Sequence, residues 1–129
     1  MKTIDVGSME SFGSGNDSIV IRNYVAGIAG GKLLDTSDFG DSYIRAGHVI
    51  IRGTTNDDYK PMPVSDGAYS SLPSGYEYVG VTTATIPAEE PFAAIMYSGE
   101  VNENAVPYSV ANIKAAIVAS VPTLVFKHD

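Results

Sequence analysis

The sequence has no cysteine, which excludes disulfides and the usual zinc sites and leaves the redox compartment unread. Cations are scarce: 8 lysines and arginines stand against 15 acidic residues, for a formal net charge of −7. An affinity built on neutralising phosphates needs several basic contacts, so no nucleic-acid partner is expected. The same balance disfavours anionic membranes and favours solubility at high concentration. No apolar run approaches the ~18 residues that a membrane span requires. Met1-Lys2-Thr3-Ile4-Asp5 contains no hydrophobic segment, so no signal peptide is expected.

Catalytic patterns are equally sparse. The only histidines are His48, inside an apolar strand, and His128, at the end of the chain. No serine lies in a Gly-x-Ser-x-Gly elbow. Gly27-Ile28-Ala29-Gly30-Gly31-Lys32 invites a phosphate-loop reading, but position 26 is alanine and leucine follows Lys32, so it reads as a glycine-rich bend. Asp35, Asp38 and Asp41 lack the spacing of a calcium-binding loop and read as a solvated turn. Glu89 and Glu90 are neighbours on a loop and cannot face one bond from opposite sides, as glycoside hydrolysis requires. Asn16-Asp17-Ser18 matches a glycosylation sequon, which carries little meaning without a secretory route. No enzyme activity, cofactor or metal is expected.

What the chain does contain suits strands and tight turns. It has 129 residues, enough for one domain with a single core. Its 13 glycines, 7 prolines and 8 tyrosines accompany abundant valine, isoleucine and threonine. Residues 1–17 are weakly patterned and are expected to form a flexible arm, because they bury too little apolar area to offset ordering. Residues 18–129 are expected to form one β-rich domain. Ser18–Arg22 is the first strand candidate, and Tyr24–Gly31 is too rich in glycine for regular structure. Ala46–Gly53 reads as a strand, Thr54–Asp58 as a hairpin loop, and Tyr59–Val64 as a return strand held at a sheet edge by its prolines. Ser65–Gly75 reads as loop. The one good helix is Val110–Ser120, capped by Ser109 and closed by Pro122, with Val110, Ile113, Ala116 and Ile117 on its packed face. Thr123–Phe126 follows as a last strand. The expected class is mainly β with one C-terminal helix (α+β).

The stretch Gly80–Asn102 carries most of the pattern. Val81–Thr85 and Phe92–Tyr97 read as strands flanking the acidic, proline-bracketed loop Ile86–Pro91, with a turn at Ser98-Gly99 before Glu100-Val101-Asn102. This order resembles the C-terminal half of tailed-phage head decoration proteins of the lambda type. Upstream, Ala46–Ile50 followed by Tyr59-Lys60-Pro61 is similar to the same family, as are the closing helix with Ile113–Ile117 and the final strand. The likeness covers roughly 45–126, and phage head-fibre proteins look similar at this level.

The resemblance implies a structural virion protein, made in the bacterial host cytoplasm. It would bind the outer capsid surface as a homotrimer, with the major capsid protein as partner, and stabilise the expanded head. It also implies that the N-terminal arm adds a strand to a capsid-protein sheet. The arm side chains suited to that are Ile4, Val6, Phe12, Ile19, Val20 and Ile21. A head-fibre or glycan-binding adhesive module is the alternative, using the tyrosines Tyr59, Tyr69, Tyr76 and Tyr78 as a surface or subunit contact.

Overall fold

The computed structural model describes residues 17–127. Helix α1 (Asp17–Val20) leads into β1 (Ile21–Gly27), followed by the short strands β2 (Lys32–Leu33) and β3 (Tyr43–Ile44). β4 (Val49–Gly53) and β5 (Tyr59–Pro61) form one hairpin, and β6 (Val64–Ser65) and β7 (Ala68–Tyr69) form a second. Then come β8 (Tyr76–Thr82), β9 (Ile86–Pro87), β10 (Phe92–Ala93) and β11 (Ile95–Asn102). Helix α2 (Lys114–Ser120) precedes the last strand, β12 (Leu124–Lys127). The fold is mainly β, with α2 its one helix longer than a single turn, as the composition predicts.

The main sheet runs β1-β11-β8-β4-β5, with β12 also paired to β11. β11 is the hub. One of its edges pairs antiparallel with β1 from Met96 to Val101. On the other edge, Ile95 and Met96 pair antiparallel with β8, and Gly99 to Asn102 pair parallel with β12. A parallel return needs a crossover, and the segment containing α2 supplies it. At the switch between partners, the Thr123 hydroxyl donates to the Tyr97 carbonyl at 2.6 Å, and the Gly99 amide donates to the Thr123 carbonyl at 3.1 Å.

Both faces of the sheet are covered. Along β4, Val49 and Ile51 enter one core cluster with Val81, Met96, Ile117 and Leu124. Ile50, between them, enters a second with Leu34, Ile44, Ala93 and Ile95. This is the period of two expected of a strand buried on both sides. In β8 the pairing passes from Ile51↔Tyr78 to Ile50↔Gly80, so Val79 is an extra residue. The bulge lets Tyr78 and Val81 share the first cluster although they are three positions apart.

Several sequence expectations are corrected. Of the expected strand Ser18–Arg22 only Ile21 and Arg22 are extended: α1 ends at Val20 and β1 begins at Ile21. The Asp17 carboxylate accepts from the Thr85 amide at 2.9 Å and the Thr85 hydroxyl at 2.6 Å, and this clamp turns the chain so that Val20 is fully buried. Tyr24–Gly27 continues the strand, its irregularity absorbed by three register shifts against β11. No turn occurs at Ser98-Gly99, where Gly99 at φ +146° keeps β11 continuous and a Cβ would collide with the Asn23 carbonyl. β8 stops at Thr82, because Thr85 is taken up by Asp17, and Phe92–Tyr97 divides between β10 and β11. The 65–75 loop contains the β6–β7 hairpin, closed by Asp66 and Gly67, both at positive φ. Helix α2 starts at Lys114; Ser109 accepts from Ala111 at 3.2 Å in the preceding turn, and Ala116 is exposed. Val110, Ile113 and Ile117 are buried, as their spacing predicts, and β5 lies at the sheet edge.

The closest backbone approach gives a test. A Cβ at Gly80 would overlap the Met96 carbonyl where β8 meets β11. Gly80→Ala is expected to cost about 1–3 kcal/mol, the range for overpacking, read as a lower urea midpoint with the far-UV spectrum unchanged.

Candidate functional site

The exposed apolar side chains concentrate on β1, β2 and β10. On β1, Tyr24 is 56% and Val25 61% exposed, and four consecutive residues, Arg22 to Val25, face solvent. β1 ends the sheet, so among the described residues its outer edge carries no strand. Edge strands are commonly guarded by a charge. The one cation here, Arg22, is drawn to Glu100 at 3.6 Å. After the turn at residues 28–31, Leu33 of β2 sits directly opposite Phe92 of β10, and they are 67% and 60% exposed. Two large apolar side chains paired on one open face form a natural contact point.

The sequence-selected residues divide. Ile4, Val6 and Phe12 lie outside the described residues. Ile19 is exposed and Ile21 half-buried, but Val20 is sealed in the chain's own core and offers nothing to a partner. The four tyrosines do not form one surface. Tyr78 is buried, and so is Tyr69, whose hydroxyl accepts from the Val49 amide at 3.1 Å. Tyr59 and Tyr76 remain accessible at the β4–β5–β8 edge. Lys32 and Arg52 stand over the Tyr59 ring at 5.3 and 5.9 Å, and Lys60 stands over the Tyr76 ring at 4.5 Å. The Tyr76 hydroxyl donates to Asp58 at 2.8 Å, and Arg52 pairs with Glu77. Burial was invisible at Tyr69 and Tyr78 because tyrosine patterns alike in core and at surfaces. Leu33 and Phe92 escaped notice because a pair made by distant segments leaves no local signal.

A pocket of about 350 Å³ opens between the 35–41 turn, the β5 end and Tyr108. Phe39, Tyr108, Pro63 and Val64, all half-buried, give it apolar walls, and Asp35, Asp38 and Asp41 are exposed around it. The Ser37 amide and hydroxyl donate to Asp35 at 3.0 and 2.7 Å, which lowers its pKa. The Ser42 amide donates to Asp41 at 2.7 Å. Asp38 makes no hydrogen bond or ion pair among the described residues. No group of three or more acidic or imidazole side chains converges as a metal ion would require, again among the described residues.

Behind the pocket lies His48, 1% exposed and ringed edge-on by Phe39, Tyr69 and Tyr108 at 5.3–5.8 Å. Its Nε2 lies 3.0 Å from the Met62 carbonyl, and since a carbonyl only accepts, Nε2 carries the proton. Burial lowers the pKa from 6.5 to about 4, against a smaller opposing effect of that bond. The expected strand Ala46–Gly53 is shortened to Val49–Gly53 by a turn at Ala46-Gly47, where Gly47 has φ +88°, so His48 lies just ahead of β4 as a buried, aromatic-packed side chain. No family model matches the chain, and neither does any curated protein or solved structure.

The histidine predicts an acid response. Its folded pKa lies below the unfolded value, so the neutral ring stabilises fully above pH 6.5, and that stability is lost as pH falls toward 4. The loss by pH 4 is roughly 3 kcal/mol at 1.36 kcal/mol per pH unit. Urea midpoints at pH 7.5 and pH 4 should show His48→Gln, which keeps a donor for Met62, with a much smaller acid loss than the unaltered chain.

Proposed function

We propose that this protein is a structural component of a phage virion, binding the outer capsid surface as a homotrimer and stabilising the expanded head. The observation that carries the reading is the run of open apolar side chains on edge strand β1 and on the Leu33–Phe92 pair. A protein that works by contact needs such surfaces, and large exposed apolar patches mark interaction sites. The similarity of residues 45–126 to lambda-type decoration proteins supplies the partner, the major capsid protein. Ile19 and β1 directly follow residues 1–17, which on this reading would be the arm. The β1 register shifts interrupt regular ladder pairing, so Tyr24 and Val25 would contribute more than an extended set of main-chain bonds. Leu33 and Phe92 would meet the neighbouring subunit. The adhesive alternative loses its platform, since Tyr69 and Tyr78 are buried and cations occupy the faces of Tyr59 and Tyr76.

Co-sedimentation with expanded, undecorated heads of the cognate virus tests the reading. Saturable binding near three copies per local threefold site is expected of a trimer on a symmetric shell. Val25→Lys should retain the fold and weaken that binding about tenfold or more, the effect of ~1.4 kcal/mol. Folded protein that stays in the supernatant at all concentrations would sink the proposal. Sedimentation velocity examines the subunit contact separately. A trimer that dissociates in the Phe92→Asp variant is expected, and one indifferent to Phe92→Asp and Leu33→Asp would remove those residues from the interface.

A further inference from the structure

We propose that the pocket between the 35–41 turn, β5 and Tyr108 is a receptor for an arginine side chain presented by a partner protein. The inference stands apart from the capsid reading, because it rests on the pocket's own chemistry. Its volume, about 350 Å³, falls at the lower end of the range for ligand sites. The apolar walls of Phe39, Tyr108, Pro63 and Val64 suit an alkyl stem and a flat cation, while the exposed Asp35, Asp38 and Asp41 suit its charge.

Charge complementarity is one-sided. Three carboxylates line the pocket against one lysine; Lys60 stands 4.5 Å over the Tyr76 ring and its charge acts on Asp35, but among the described residues it makes no ion pair with Asp38. Among the described residues nothing takes up the acceptor capacity of Asp38. A compact metal ion demands converging ligands, and these carboxylates do not converge. An arginine does not make that demand. Its guanidinium is planar, spreads five donors over a fork, stacks on aromatic faces and is weakly hydrated. Phe39 and Tyr108 are the aromatic residues that line the pocket, and both pack perpendicular to His48, so the walls are preorganised. A lysine ammonium would suit the site less, since it carries its charge at a point and clings to water.

The test is an amide-resolved NMR titration of the full chain with N-acetyl-arginine amide. N-acetyl-citrulline amide serves as the neutral isostere, with N-acetyl-lysine amide and calcium chloride as further arms. Saturable shifts at Asp38, Phe39 and Tyr108 are expected with the arginine compound, and none with citrulline. Asp38→Asn, which removes a charge that makes no hydrogen bond or ion pair among the described residues, should weaken the apparent affinity about fivefold or more. Absence of saturation up to roughly 50 mM, beyond the millimolar range of weak single-group binding, would overturn the proposal. So would equal binding of citrulline, binding of the lysine compound as tight as arginine's, or saturation by calcium alone. Indifference of arginine binding to Asp38→Asn would overturn it as well.

Discussion

Every strand of the main sheet depends on how β11 shares its two edges among three partners. β1 occupies one edge throughout, and β8 and β12 divide the other. A strand that loses its neighbour halfway exposes backbone groups that must be satisfied. Thr123 covers that gap from two sides, donating its hydroxyl to Tyr97 and accepting from the Gly99 amide through its carbonyl. Gly99 makes the exchange sterically possible, since any Cβ there would strike β1. The helix, the parallel return and the two-sided core all follow from this junction.

Much of the architecture was legible because it obeys local rules. The β4–β5 hairpin, the edge placement of a proline-bearing strand and the burial of Val110, Ile113 and Ile117 each follow from spacing and turn chemistry, although only Ile117 of the three lies within α2. Asp66-Gly67 belonged to the same legible class: a dipeptide that accepts positive φ at both positions is a strong hairpin signal, and reading 65–75 as plain loop overlooked it. The rest depended on distant partners. Nothing near Asp17 announces that Thr85, 68 positions away, will hold it and turn an apparent strand into a helical turn. Likewise, nothing in Phe92-Ala93 says that it will leave the path of β11 to pair with β2.

The same division governs the surfaces. Tyrosine density in the sequence marked one site, yet the fold sends two of those rings inward and sets the other two under cations. The open apolar contacts arise instead from residues that are individually ordinary. Leu33 and Phe92 become a feature only when β2 and β10 pair, and Tyr24 and Val25 only when β1 is left as the outer strand. Aspartates of the 35–41 turn acquire meaning through walls that come from β5 and from Tyr108. Charge and apolarity are read from sequence; adjacency is made by topology.

The two outermost pairings of β11 also set how the molecule can be tethered. Ile21 at the start of β1 and Phe126 near the end of β12 both lie beside Val101, on opposite sides. The start of β1 and the end of β12 therefore lie at one end of a single strand, about 10 Å apart, or two strand spacings. Tension applied between Ile21 and Phe126 would peel β1 and β12 away from β11 one residue at a time, the direction in which such a sheet resists least.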